Sequence, residues 1–288
     1  LRKHYVDKRG ETMTIEEVKD YINSSTEYDF LRDYPHKIAF LTLGGSYAYG
    51  TNTEDSDIDL RGVFLSDKRE ILLNNSMKLV DTRKDTDTTM YALKKYVGLC
   101  AKGNPTALEL LYNRPECYLY VSDIGMELIK NRDMFLSKKI WYAFNGYSQA
   151  LEEQTIRLYD ETILTEDQIN LAKKKVCKAM MHVIRVIHNG TALLKTSTMQ
   201  TYNFELLRQS LLLLRDGAYC SSMVIKGRAT DDIIKRFVPS NDFGELFDCF
   251  YQAFENAFKT TTLPDEPDWD RINDFLATTN ERIVRGMV

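Results

Sequence analysis

Asp57 and Asp59 stand two residues apart in the run Asp57-Ile58-Asp59-Leu60-Arg61, alternating with apolar residues. Alternate side chains of an extended segment leave by the same face, so the two carboxylates and Arg61 share one side while Ile58 and Leu60 anchor the other. Two anions so close repel strongly, and a divalent cation that favours oxygen ligands relieves the repulsion. Left unrelieved, that repulsion predicts a metal-free protein that gains stability when either carboxylate is removed. About ten residues upstream, Gly44-Gly45-Ser46 follows the apolar run Lys37 to Leu43 (KIAFLTL). Glycine permits close backbone approach, and the Gly45 and Ser46 amides with the Ser46 hydroxyl suit triphosphate oxygens. A lone Gly-Ser is usually just a turn, and a lone Asp-x-Asp is usually solvated. The order strand, Gly-Ser, then Asp-apolar-Asp-apolar carries the weight.

This order resembles the signature of the DNA polymerase β nucleotidyltransferase superfamily. The resemblance implies a mixed sheet packed on two helices and a nucleotide held by the Gly45-Ser46 turn. It also implies two Mg²⁺ ions, with Mn²⁺ as an alternative, held by Asp57, Asp59 and a third carboxylate on a neighbouring strand. Asp81, Asp85 and Asp87 are the choices for that third position. Asp87, just before Thr88 to Leu93, fits the pattern best, with Asp85 close behind.

Three further segments narrow the resemblance: YALKKYVGLCAKGNPTALELL at 91 to 111, GYSQ at 146 to 149 and KAMMHVIR at 178 to 185. They are similar to the family of nucleotidyltransferases assigned to RNA repair, sometimes found beside RNA ligases. The resemblance runs from about residue 37 to residue 217. It implies transfer of NMP from an NTP, ATP among the choices, to a hydroxyl acceptor such as an RNA end. A protein hydroxyl, as in AMP-transferring antitoxins, or a small molecule stays open as acceptor. So does a regulatory module that binds nucleotide without turnover, which a large separation between Asp87 and Asp57 would favour.

Lys178, His182 and Arg185 can be read from helical periodicity. Val176, Met180, Val183 and Ile187 form one stripe, and the three polar residues project from the opposite side. Such a face is either solvated surface or a set of phosphate contacts, and with the resemblance they are expected to bind nucleotide and face the carboxylate cleft. Lys102-Gly103-Asn104-Pro105 reads as a break between helices, with Asn104 or Lys102 as a possible substrate contact, and Glu109 as support for that turn.

The elements that must position these residues follow from pattern. Thr14 and Glu17 form a capping box that starts a helix over 14 to 23. Lys37 to Leu43 and Asp57 to Leu65 read as strands, and 79 to 91 holds another. Tyr91 to Leu111 turns helical. Helices are expected over 137 to 159, 167 to 195, 203 to 215, 243 to 260 and 268 to 285. The fold class is therefore α+β, a small mixed-sheet, palm-like nucleotidyltransferase domain over 14–120 followed by an α-helical domain over 121–288. Residues 1 to 12 receive no chemistry, and 218 to 288 little.

Composition sets limits. With 288 residues, 43% hydrophobic and 28% charged, the chain suits one or two globular domains. A net charge of −4 lacks the basic excess that gripping long nucleic acid requires, while leaving room for a nucleotide or an RNA end. Five cysteines without a CxxC pair point away from disulfides and zinc and toward a reducing cytoplasm. The charged opening stretch does not read as a secretory signal, and no apolar run is long enough for a membrane.

Overall fold

The computed structural model describes residues 12–54, 56–74, 79–160, 166–202, 205–217, 220–226, 233–239 and 241–288. In chain order the elements are α1 (Ile15–Ser24), β1 (Ile38–Leu43), α2 (Gly45–Tyr49), β2 (Leu60–Phe64), α3 (Lys68–Leu72), β3 (Val80–Arg83) and β4 (Thr88–Ala92). Then come α4 (Leu93–Ala101), α5 (Pro105–Leu110), β5 (Tyr118–Val121), α6 (Asp123–Lys130), α7 (Lys139–Asp160) and α8 (Glu166–Thr196). The chain closes with α9 (Glu205–Asp216), β6 (Cys220–Lys226), β7 (Ile233–Pro239), α10 (Asn241–Thr260) and α11 (Trp269–Val284). A mixed sheet followed by a largely helical region is thus the architecture, as the sequence predicts. The strands β6 and β7, paired antiparallel, are an addition that helical periodicity does not announce.

The chain divides into two compact units: Leu1–Ser137 with Thr198–Asn203 and Pro264–Val288, and Lys138–Ser197 with Phe204–Leu263. The sequence places the change near residue 120 and runs the helical part to the end. The structure draws α6 and α11 into the first unit through non-local bonds. The Asp268 amide donates to the Met134 carbonyl at 2.9 Å, Arg271 holds Asp133 at 2.7 Å and Arg282 holds Glu127 at 3.0 Å.

The first unit is built on a five-stranded sheet ordered β3-β4-β2-β1-β5. Central β2 runs antiparallel to β1 and parallel to β4. Strands so placed are buried on both faces and read as near-continuous apolar runs, which explains IAFLTL in β1. On one face Leu43, Ile58 and Leu60 join Val18 and Ile22 of α1 and Tyr47 and Ala48 of α2 in one cluster. On the other, Phe40 of β1 meets Tyr96 of α4 edge to face, ring centroids 5.5 Å apart. α1 opens with the expected capping box, Thr14 and Glu17 exchanging side-chain to backbone bonds.

The second unit packs α7 to α10 around an apolar cluster containing Val176, Met180, Met181, Ile184, Leu211 and Leu214. Stacked Trp141 and Phe258, centroids 4.7 Å apart, extend the packing between α7 and α10. Cys100, Cys117 and Cys177 are buried free thiols and Cys249 an exposed one, while the Cys220 side chain lies outside the described residues. Among the described residues no helix is long and apolar enough to cross a membrane.

Candidate active site

Strands β1 and β2 end together. Their register pairs Leu43 with Leu60, and the next backbone bond runs from the Gly44 amide to the Asp59 carbonyl at 2.9 Å. Beyond it the chain turns into α2, so β1 offers no partner to residues before Leu60. The expected strand from Asp57 is therefore shorter, beginning at Leu60, with Asp57 to Asp59 as its lead-in. The alternation nevertheless holds: Ile58 and Leu60 are buried, Asp57 is exposed and Asp59 is half-buried. Ile58 and Leu60 share a cluster with Tyr47 and Ala48, so the packing that fixes the aspartate segment also fixes α2.

Gly45 is where the turn and the carboxylate meet. Its φ is +54°, in the left-handed region that costs a side-chain-bearing residue strain. A Cβ placed there would lie 1.7 Å from the Asp59 Oδ2. Only glycine permits this approach. Ser46 follows in the first turn of α2, half-buried, where helix amides lack an intrahelical acceptor. The far end of α2 is held by the Tyr49 hydroxyl, which donates to buried Glu109 at 2.9 Å. Glu109 thus supports the site from α5, and Asn104 caps α5 by accepting from the Ala107 amide at 3.0 Å. The Lys102 to Pro105 segment accordingly forms a helix break.

The parallel pairing of β2 and β4 sets Leu60 opposite Thr88, which brings the preceding residues, Asp59 and Asp87, side by side. The Leu60 amide donates to the Asp87 carbonyl at 3.1 Å, locking that register. Asp87 ends the β3–β4 turn with φ +44°, a left-handed conformation that Asp tolerates better than most residues. Beneath it the buried hydroxyls of Thr86 and Thr88 lie 2.9 Å apart. Asp85 instead caps its own turn, accepting from the Thr86 amide at 3.1 Å, and Asp81 pairs in register with Met90 on β3. Of the three choices, Asp87 is the one whose neighbour across the ladder is Asp59.

Arg61, unassigned from sequence, joins the two. Its Nη2 donates to Asp59 Oδ1 at 3.1 Å and to Asp87 Oδ1 at 3.3 Å. Its Nη1 donates to the main-chain carbonyls of Leu60 at 2.8 Å and Asp87 at 2.6 Å. The expectation of unrelieved carboxylate repulsion needs correction at Asp59, because the guanidinium already neutralises it. Removing that carboxylate would take one of two anionic partners from a half-buried cation rather than relieve repulsion. The signal for Arg61 was its place on the aspartate face.

Among the described residues no group of three or more His, Cys, Asp and Glu side chains is arranged to hold a metal ion. The donor chemistry of Asp57, Asp59 and Asp87 nonetheless suits one: carboxylate oxygens are the ligands Mg²⁺ prefers. At Gly45 the missing Cβ is what lets the Asp59 carboxylate lie against the turn, since a Cβ there would fall 1.7 Å from Oδ2.

Lys178, His182 and Arg185 form a separate group, on α8 of the second unit. Val176, Met180, Val183 and Ile187 are buried as expected, but Arg185 is buried too, at 4% exposure, while His182 is half-buried and Lys178 exposed. These three therefore do not form one uniformly exposed face. The His182 pKa lies well below the ordinary imidazole value, first from lost solvation and then from the charges of Arg185, Lys178 and Arg215. His182 is thus a neutral imidazole among three cations, Arg215 of α9 having joined the set. Burial lowers His188 as well.

Two outcomes follow from this geometry. Gly45→Ala should lower the urea unfolding midpoint, the left-handed backbone alone costing about 1–2 kcal/mol, with displacement of Asp59 adding to it. An unchanged midpoint would contradict the close approach. The second concerns pH. The His182 pKa is depressed by folding, so its contribution to stability is complete above about 6.5 and is lost as pH falls, when the unfolded chain takes up the proton. Urea midpoints measured from pH 7 to 5 should therefore fall less for His182→Gln than for the wild type, and parallel curves would contradict it.

Comparison with known proteins relates the chain to a family and to a phage protein. The family model described as the RNA repair pathway DNA polymerase beta family matches residues 28–278. An Enterobacteria phage T4 protein, described as an uncharacterized 38.9 kDa protein in the nrdC-mobD intergenic region, is 31% identical over 115 residues. That alignment covers 36% of this chain and 34% of the phage protein, so the chain spans about a third of that relative's length.

Proposed function

The chain belongs to the RNA repair pathway DNA polymerase beta family, and from that premise we propose that it transfers NMP from a nucleoside triphosphate to the hydroxyl of an RNA end. The observation that carries this reading is the convergence of Asp59 and Asp87 on one guanidinium, next to the Gly45 turn. Proximity of Asp87 to the paired aspartates favours turnover over a module that merely binds nucleotide.

In this reading Asp57, Asp59 and Asp87 would hold two Mg²⁺ ions, or Mn²⁺, whose chemistry is to neutralise phosphate charge and acidify a nearby hydroxyl. The Gly45 and Ser46 amides and the Ser46 hydroxyl hold triphosphate oxygens. The acceptor oxygen forms a bond to the α-phosphorus while the bond from that phosphorus to the bridging oxygen breaks, and pyrophosphate leaves with the electron pair. The Asp87 carboxylate accepts the hydroxyl proton. Lys178, His182 and Arg185 of α8 are kept as nucleotide-binding candidates, because guanidinium and ammonium groups suit phosphate. Positioning and charge neutralisation account for most of the catalysis, as in phosphoryl transfer generally. The buried free thiols fit a reducing, cytoplasmic setting.

The test uses the full chain, Mg²⁺, each α-labelled NTP and a panel of RNA, protein and small-molecule acceptors. Label should pass to RNA with release of pyrophosphate, and Asp59→Asn or Asp87→Asn should abolish it. Ser46→Ala should weaken nucleotide binding by roughly 10- to 150-fold, the worth of one hydrogen bond to a charged group. Label on protein alone would move the acceptor to a protein hydroxyl. No transfer to any acceptor would defeat the reading.

A further inference from the structure

Arg61 has two functions in its five contacts. Nη1 is bonded to main chain, to the carbonyls of Leu60 at 2.8 Å and Asp87 at 2.6 Å. Those carbonyls belong to the start of β2 and the turn before β4, neither of which can move without breaking the sheet register. Nη2 is bonded to side chains, spanning Asp59 Oδ1 at 3.1 Å and Asp87 Oδ1 at 3.3 Å. Nη1 also lies 3.3 Å from that Asp87 oxygen. The guanidinium is planar, permanently charged and forked, so one nitrogen can remain fixed while the other changes partner. Gly44 leaves room for the stem: a Cβ there would touch the Arg61 Cγ at 3.0 Å.

From this geometry we infer that Arg61 is a positioning residue and internal counter-ion, holding Asp59 and Asp87 together until a divalent cation takes the same carboxylate oxygens. The inference rests on the metal-dependent reading of the site. Without a cation, two adjacent carboxylates would spread apart, and Asp87, exposed on a turn, is the one able to swing away. Arg61 prevents that at the cost of competing with the metal. On metal binding Nη2 gives up the two oxygens and Nη1 gives up its longer contact to Asp87 Oδ1 while staying on the carbonyls, so the fork turns about a fixed point. The site is thereby preassembled, and its apparent metal affinity is set below its intrinsic one by the strength of this contact.

Calorimetry on the full chain tests this with Mg²⁺ and no nucleotide. Arg61→Gln, which removes the charge, should bind Mg²⁺ about tenfold or more tightly, as expected for removing a competing charge-assisted contact. Its metal-free melting temperature should fall and should recover more on adding Mg²⁺ than that of the wild type. Arg61→Lys, charged but without a fork, should bind with intermediate affinity. A residue that only holds the fold together would give the opposite sign, a weaker Mg²⁺ affinity in both variants, and that result would overturn the inference. Should Arg61→Gln fail to fold, nitrogen NMR of the wild-type guanidinium replaces it. The Nη2 signal should shift as Mg²⁺ saturates while the Nη1 signal keeps the position of a nitrogen bonded to carbonyls, and an Nη2 signal that never changes would equally overturn it. If Mg²⁺ does not bind the wild type, the metal-dependent reading itself fails; if it binds with Arg61 unaffected, this inference fails alone.

Discussion

The approach of Gly45 to Asp59 is the constraint on which the remainder of the site depends. A backbone with φ of +54° passes so near the carboxylate that a Cβ would sit 1.7 Å from its oxygen. This contact exists because β1 and β2 end at the same level, closed by the bond from the Gly44 amide to the Asp59 carbonyl. Everything further out is arranged to keep that junction fixed. Ile58 and Leu60 bury under α2, Tyr49 is tied to Glu109, and buried Asn113 donates to Thr42 and to the Leu43 carbonyl at 3.0 and 2.9 Å. A phosphate-sized group at the turn would therefore lie against a carboxylate whose position is set by the core.

Charge is the second theme. The chain as a whole is acidic, at −4, yet each candidate cluster carries its own cations. In the first unit Arg61 offsets two carboxylates. In the second, burial first and then the charges of Arg185, Lys178 and Arg215 keep the His182 pKa well below the ordinary imidazole value. Local balance, more than net charge, sets what each site can bind.

Much of this was legible in the sequence because it is local. A capping box, the apolar runs of β1, the long helices and the alternation of Asp57, Ile58, Asp59 and Leu60 each follow from short-range pattern. Asp87 could be ranked first among three carboxylates, but its adjacency to Asp59 rests on a parallel pairing between strands separated by α3 and β3, which no local period encodes. The double contact of Arg61 was hidden for the same reason: alternation gives a face, not the neighbour across the ladder. Arg185 lies off the apolar stripe of α8 and is buried nonetheless, since a helix enclosed on several sides no longer obeys a one-sided pattern. Only non-local bonds, such as Arg271 to Asp133, return the last helix to the first unit.

Crystals of the full chain soaked in Mn²⁺ and measured for anomalous scattering would test the account at its centre. The account places Mn²⁺ in bonding contact with carboxylate oxygens of Asp57, Asp59 and Asp87, beside the Gly45 backbone. Manganese bound elsewhere, or none at saturation with Asp59 and Asp87 still side by side, would contradict it.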